Sequence, residues 1–496
     1  MNLVFDIEAD NLLPKLSKFH CAGAIDLDTN KEYWFGPDQA QDFLNLLDKA
    51  DLIIAHNAFG YDVPALTKLF GWKPKAKVQC TKVMSQVLNY RRFGFGHSLK
   101  LWGQKLNDFK GDYTGGFEEY NEDMFEYMKQ DVRLLKKVYS ALMKELKRFI
   151  GMTKSKEILK ALRSEMDMDA VMAEQISNGW LFNKAEAEKL LVTIEQDMDA
   201  YSQLVNPHLG MKVKKLDTEP KTPKFTKSGK YHAHIARYFE LGPECGVDDR
   251  PIWGDYNRIE FIAGDIGNTD TVKRYLYTIG WKPDEWNWKK IDGKFVKISA
   301  KLTDSSLGGL GDVGDALSKY YTLRSRKSIL EGWFDHVDKN SRLHGDVFNI
   351  GTPTFRQTHK IIANLPSGKA VLGPEFRRLF IAREGYKLVS ADSAACQLRL
   401  LAHFMQDSTY TDTVLHGDVH QKNADIVGCS RALAKPFIFA FLYGAGGKKL
   451  GSILGVSDSE GNKLKKKFTD ANPSLKRLIN KVGTIVENQG YILGLD

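Results

Sequence analysis

The chain has 496 residues, 43% of them hydrophobic and 27% charged, with a formal net charge of +9. That length predicts two to four domains with ample core, and no apolar run approaches the ~20 residues that a membrane-spanning helix needs. The charge excess permits a polyanionic partner without requiring one.

In chain order, the first residues, MNLVFDIEAD, start directly on a strand and lack the basic n-region and cleavage pattern of a signal peptide. LVFDIEA and DLIIAH read as strands. VPALTKLFG and the long run EEYNEDMFEYMKQDVRLLKKVYSALMKEL read as helices, so residues 1–150 form an α/β layer. A long helical pattern follows over 151–205, broken at Asn178–Gly179. Residues 206–300 are loop-rich, with several tryptophans. Between Lys212 and Lys230 seven lysines face only Asp217 and Glu219, with Pro220, Pro223 and Gly229 interleaved. That stretch cannot be a regular helix and reads as a mobile basic loop suited to phosphate contact. Another helix is expected over 316–337, short strands and turns over 342–392, and mostly helix over 394–490. The apolar run KLVSA is expected to be a buried strand delivering Asp392 to its end. The five cysteines (Cys21, Cys80, Cys245, Cys396, Cys429) are scattered and odd in number. They fit a reducing compartment rather than a disulfide framework or a zinc cluster.

Three elements near the N-terminus carry carboxylates. Asp6 and Glu8 stand at i and i+2, so a strand puts both on one face. Two acids there repel each other and resist desolvation unless a cation joins them. A strand end with solvated acids is the plainer reading. In LIIAHNAFGYDVPAL, Asp62 sits near a helix start, where an Asp is also a routine cap. In YMKQD, Tyr127 and Asp131 at i and i+4 share a helix face. In this order, DxE, N-x4-D and Y-x3-D resemble the motifs of DnaQ-like 3′–5′ exonucleases of the DEDD-Y type. The resemblance implies that Asp6, Glu8, Asp62 and Asp131 hold two Mg²⁺ ions, with Tyr127 orienting or helping to deprotonate the attacking water.

Further on, RALAKPFIFAFLYGAG places Arg431, Lys435, Phe439 and Tyr443 four apart, on one slowly drifting helix face. Two cations and two rings could take the phosphates and base of a nucleoside triphosphate. Taken alone, such a stripe is more ordinarily core with a snorkelling lysine. The spacing R-x3-K-x3-[FY]-x3-YG resembles the fingers motif of the family A (Pol I-like) DNA polymerases. The segment at Asp392, HGDVHQKNA (416–424) with His420, GTPTFRQTHKIIANLP (351–366) with Arg356, and EFRRLF (375–380) with Arg377 resemble further stretches of that family. The wording FHC (19–21) and HNAFGYDVPALTKL (56–69) resembles its replicative members from T-seven-like coliphages.

The resemblance implies an α+β multidomain chain. A DnaQ-like (RNase H-like) exonuclease domain at 1–150 would precede a mostly helical thumb at 151–340 with a basic insertion near 206–255, a partial palm at 341–393 and fingers at 394–496. It implies primer-template DNA and dNTPs as partners, Asp392 and the Ser393 carbonyl as metal ligands, Arg356 and Arg377 on DNA, and an infected host's cytoplasm as the location. A thioredoxin-like processivity factor could dock on the insertion, which could equally face DNA. Five departures stand out. Gln397 occupies the place of the family's sugar-excluding Glu, which pairs with the tyrosine matching Tyr443; exclusion by size should survive without the charge. Pro436 follows Lys435, so the phosphate-binding helix is expected to begin or bend there. Phe355 replaces a Gly beside Arg356, a change the sequence does not explain. Phe439 replaces a tyrosine, and poor use of dideoxynucleotides is expected. No His-Asp-Glu or His-Asp-Asp triplet occurs, so Asp392 lacks its family partner. A split polymerase with a second chain carrying that motif is the expectation, with a stand-alone exonuclease as the alternative.

Overall fold

The structure is a computed structural model, and it describes every residue except 14, 109–112, 217–220, 243, 491 and 493–496. Two compact units result, one from residues 1–154 and 162–386, the other from 155–161 and 387–496.

The first unit opens on a mixed sheet of β1 (Asn2–Ala9), β2 (Phe19–Asp26), β3 (Glu32–Phe35), β4 (Leu52–Ala55) and β5 (Lys77–Cys80), in the order β3-β2-β1-β4-β5. β1 runs antiparallel to β2 and parallel to β4. Interleaved are α1 (Ala40–Leu47), α2 (Asp62–Phe70), α3 (Thr81–Leu88) and α4 (Leu99–Leu106). The long α5 (Glu122–Thr153) is capped by the Asn121 side chain, which accepts from the Met124 N–H. Its apolar stripe, including Met124, Met128 and Leu135, packs on β1 and β2. Gly23 on β2 permits this approach: a Cβ there would lie 2.6 Å from the Met128 sulfur.

Next come α6 (Glu157–Asn178), β6 (Trp180–Leu181) and α7 (Lys184–Val205). The expected break at Asn178–Gly179 is where α6 ends, with Gly179 at φ +59. The region 206–300 is more ordered than a loop-rich composition predicts. β7 (Met211–Lys215) pairs with β8 (Ile259–Ala263), with α8 (Ala233–Tyr238) between them. Lys212, Lys214 and Lys215 therefore lie on a strand rather than in a loop, because a partner ladder satisfies their backbone groups; Asp217, Glu219 and Pro220 fall outside the described residues. After α9 (Thr269–Thr278), a tight hairpin joins β9 (Trp286–Ile291) to β10 (Lys294–Ala300). α10 (Asp304–Leu307) precedes α11 (Gly311–Phe334), which packs along α7 around Ile194, Leu323, Leu330 and Trp333. β11 (Arg342–Leu343), β12 (Asp346–Phe348), β13 (Thr358–Lys360) and α12 (Gly373–Arg378) complete this unit.

The second unit is helical: α13 (Cys396–Met405), α14 (Ser408–His416), α15 (Val419–Val427), α16 (Arg431–Leu442), α17 (Gly447–Leu454), α18 (Asp458–Asp470) and α19 (Pro473–Gln489). Leu398, Phe437, Ile438, Leu450 and Phe468 fill its core. The expected strand ahead of Asp392 is not formed. Lys387–Ala391 is irregular and exposed, with Val389 92% accessible. A strand exists through its neighbour's hydrogen bonds, and among the described residues none pairs with this run. Among the described residues, no helix is long and apolar enough to cross a membrane.

Candidate active sites

The first site is built on β1, α2 and α5. Phe5, Ile7 and Ala9 are buried along β1, while Asp6 and Glu8, two apart, are half-buried on its other face. α5 brings Asp131 to them, 2% exposed. One carboxylate oxygen from each of Asp6, Glu8 and Asp131 lies within 4.8 Å of the others. At that separation an ionised pair repels by roughly 3 kcal/mol at an effective dielectric of 20. Asp62 opens α2 and is 2% exposed, and burial pushes its carboxyl up to about 7. Asp62 is not among the three carboxylates that converge within 4.8 Å; beside it, burial, then the charges of Glu8, Asp62 and Asp6, hold the Tyr61 phenol above its ordinary value. The strain of gathering these acids is what a divalent cation relieves, so the donor set fits a metal site.

Tyr127 stands one turn before Asp131, its ring centroid 5.6 Å from that of Tyr113. Tyr113, Asn121, Asp123, Tyr127 and Gln130 help line a cleft of about 520 Å³. The Tyr113 hydroxyl donates to the Gly116 carbonyl and accepts from Asn121, which holds this wall in place. Sequence reasoning missed four neighbours. Besides Tyr61, Lys82 Nζ donates to Asn57 Oδ1 at 2.8 Å, and Asn57 has φ +73. The Asp169 carboxyl is raised by burial and partly lowered by Lys82. His20, fully buried, sits 2.8 Å from the Phe117 carbonyl through Nε2. Only Tyr61, adjacent to Asp62, had a local signal; the others meet through the fold.

The second site lies on α13, α15 and α16. The Ser430 side chain caps α16 by accepting from the Leu433 N–H. Helix α16 therefore begins at Arg431, and Pro436 is accommodated inside it rather than starting it. Its buried face is Ala434, Phe437, Ile438 and Phe441. Arg431, Lys435 and Tyr443 are exposed and Phe439 is half-buried, so this stripe is not core. Arg431 Nε donates to Asp418 Oδ2 at 2.7 Å, and Asp418 also accepts from the backbone of His420 and Gln421 to cap α15. The His420 ring lies 6.3 Å from that of Phe439. Burial, then the charges of Lys435 and Arg431, lower the His420 value, so the ring is neutral near pH 7. Gln397 Nε2 donates to the Tyr443 hydroxyl at 2.7 Å. Asp392 is exposed and belongs to no acidic group of metal-holding geometry among the described residues. The neighbouring Ser393 carbonyl accepts from the Cys396 N–H at 3.3 Å.

In the first unit, Arg356 helps line a cleft of about 430 Å³ with Glu165, Asn349 and His359. Its neighbour Phe355 has φ +56, the left-handed region that a glycine occupies without strain. Arg377 lies in the last turn of α12, and its Nε donates to the Pro366 carbonyl at 2.9 Å.

A family model described as DNA polymerase family A matches residues 284–495. This chain carries a family A DNA polymerase domain. The polymerase is similar to the DNA-directed DNA polymerases of Enterobacteria phage T3 and Escherichia phage T7. Each is 28% identical over 99% of this chain and 82% of the relative. A DNA polymerase of Mycobacterium phage L5 is 22% identical over 99% of this chain and 77% of the relative. Among solved structures, the POL domain of Pol1 from M. smegmatis, in complex with DNA primer-template and dNTP, superposes with a TM-score of 0.71. It shares 13% identity and covers all of this chain and 77% of that one, a likeness of fold. The enzyme class is thus DNA-directed DNA polymerase, a nucleotidyltransferase.

Proposed function

We propose that this polymerase pairs nucleotide addition with 3′–5′ proofreading in phage DNA replication, in the cytoplasm of an infected host. The proofreading site is the group of Asp6, Glu8, Asp62 and Asp131, in an exonuclease domain spanning residues 1–150. The convergence of Asp6, Glu8 and Asp131 within 4.8 Å carries this reading. Two Mg²⁺ ions bound there would supply a water of lowered pKa and charge for the leaving 3′ oxygen. The chain's own residues fix the geometry. The strand period aims Asp6 and Glu8 together, α5 adds Asp131, and Tyr127 faces the cleft to orient the water. The test is degradation of single-stranded DNA in Mg²⁺; Asp6→Ala should abolish it, and undiminished hydrolysis would refute the assignment.

For synthesis, the primer 3′-OH attacks the α-phosphate of a dNTP in line. Arg431 and Lys435 receive the triphosphate. The Arg431–Asp418 pair is solvent-exposed and weak, so phosphate displaces Asp418 at small cost. Neutral His420 hydrogen-bonds a phosphate rather than adding charge, and Phe439 stacks on the base. The Gln397–Tyr443 contact forms the floor beneath the sugar. Arg356 and Arg377 contact DNA from a palm at 341–393, the remaining polymerase domains being a thumb at 151–340 and fingers at 394–496. Asp392 and the Ser393 carbonyl would hold metal together with a second carboxylate, and a thioredoxin-like processivity factor docks on the insertion near 206–255.

That second carboxylate is supplied by polypeptide other than these 496 residues, which contain no His-Asp-Glu or His-Asp-Asp triplet. That Asp392 belongs to no metal-holding acidic group among the described residues supports this. Primer extension should be negligible with this chain alone and appear when a polypeptide carrying His-Asp-Glu is added. Extension by the chain alone refutes it. The isolated Asp392 also favours a second reading, an exonuclease whose remainder grips DNA, and failure of every such partner to restore extension would select it.

A further inference from the structure

The β9–β10 hairpin has no role in either site, and its chemistry is unusual for a surface ribbon. Its base is anchored: Ala300 is buried and Trp286 half-buried against the core of Val272, Leu276 and Trp281. Beyond the base the ribbon is exposed on both faces. Trp288 is 55% and Phe295 72% accessible. The turn Asp292-Gly293, with both residues at positive φ, is the tight type that matches ribbon twist, so the ribbon holds its shape without a covering layer.

Register sorts the side chains. Trp286 faces Ala300, Trp288 faces Lys297, and Lys290 faces Phe295. Directly opposed residues share a face, and so do residues two apart. One face therefore presents Trp286, Trp288 and Phe295 interleaved with Lys290 and Lys297. The Lys297 ammonium lies 5.0 Å from the Trp286 ring and 5.6 Å from the Trp288 ring. Four lysines and a single acid, Asp292, fall between Trp286 and Ala300. Exposed rings with cations between them match the two demands of a single strand, a π-face for each base and a positive charge for each phosphate. A protein partner would meet a different surface, since interface centres are depleted of lysine.

We propose that this face of the hairpin is a stacking platform for single-stranded DNA. Trp288 and Phe295 lie diagonally across the ladder and each receives a base. Lys297 swings from the rings to a phosphate as a base takes its place, and Lys290 receives the next phosphate. The platform shares no residue with the carboxylate group or with α16, so it depends on neither proposed activity.

The test uses the full chain in EDTA, with an oligo-dT carrying 5-iodo-deoxyuridine, read by fluorescence anisotropy and by photocrosslinking with peptide mapping. The crosslink should fall within residues 283–297. Trp288→Ala/Phe295→Ala should abolish it and weaken binding by about thirtyfold or more. Lys290→Ala/Lys297→Ala should flatten the dependence of log affinity on log salt by about 1.4. All four side chains are exposed, so an unchanged melting temperature verifies folding. A crosslink that maps elsewhere, or unchanged affinity in the double aromatic variant, overturns the proposal. Tighter binding of duplex than of oligo-dT through the same residues also overturns it.

Discussion

Asp62→Asn is the sharpest probe of the carboxylate group. The Asp62 carboxyl is 2% exposed, and burial raises it from 3.8 to about 7. The shift is about 3 pH units at about 1.4 kcal/mol each, which sets a ceiling of about 4 kcal/mol on the cost of ionising it in the folded chain. Because the folded-state value lies above the unfolded one, the folded chain holds more protons between about pH 4 and 7. Stability therefore falls as pH rises through that window and then levels off. Asn removes the titration and keeps the shape. In EDTA at pH 8, Asp62→Asn should melt above the wild type, by up to about 10 °C for a domain of this size. Near pH 4, where Asp62 is protonated, the two should converge. Mg²⁺ should raise the wild-type melting temperature at pH 8 and narrow the gap. Thermal unfolding followed by circular dichroism at pH 4, 6 and 8 decides the matter. Parallel pH profiles for the two proteins would show that Asp62 does not ionise at a cost in the folded chain, and the reasoning from its burial would fail.

Phe355→Gly should stabilise the chain by about 1 kcal/mol, because the left-handed φ costs a bulky residue about 1–2 kcal/mol and glycine nothing. Phe355→Ala, which keeps the strain and loses the ring, should destabilise; denaturant midpoints of both variants check this. Asp418→Asn retains an oxygen able to cap α15 but releases Arg431. Equilibrium dNTP binding should tighten by about fivefold or less with an unchanged melting temperature, and weaker binding would show that Asp418 holds Arg431 in its working position.

Much of both sites was legible because it obeys short periods. A strand's period of two puts Asp6 beside Glu8, and a helix's turn puts Tyr127 beside Asp131 and strings Arg431, Lys435, Phe439 and Tyr443 into one exposed stripe. The Gln397–Tyr443 contact spans 46 positions, and it followed from the family resemblance rather than from any period. The glycine preference beside Arg356, opaque in the sequence, became a matter of one dihedral angle. What stayed hidden was contact between distant segments: Lys82 on Asn57, Asp169 near Lys82, His20 beneath Phe117. One local signal was there to be read. Asp292-Gly293 between alternating apolar and basic residues is a strong hairpin mark, masked by the loop-rich stretch around it.

The segment Lys387–Asp392 shows where local reading fails and what would repair it. Its apolar run has strand composition, yet Leu388 and Val389 stand 54% and 92% exposed. Composition makes a strand possible, but a neighbouring strand makes it stable, and that neighbour is a property of another segment. If the polypeptide that brings the second carboxylate also lies beside this run, one event completes both the metal set and the ladder. Amide exchange at 387–391 should then be fast in this chain alone and slow by about tenfold or more once the His-Asp-Glu polypeptide is bound, since a closed ladder shields its amides from solvent. Recovery of primer extension with exchange there still fast would separate the two effects. The run would then be a tether for Asp392 and not a strand waiting for its partner.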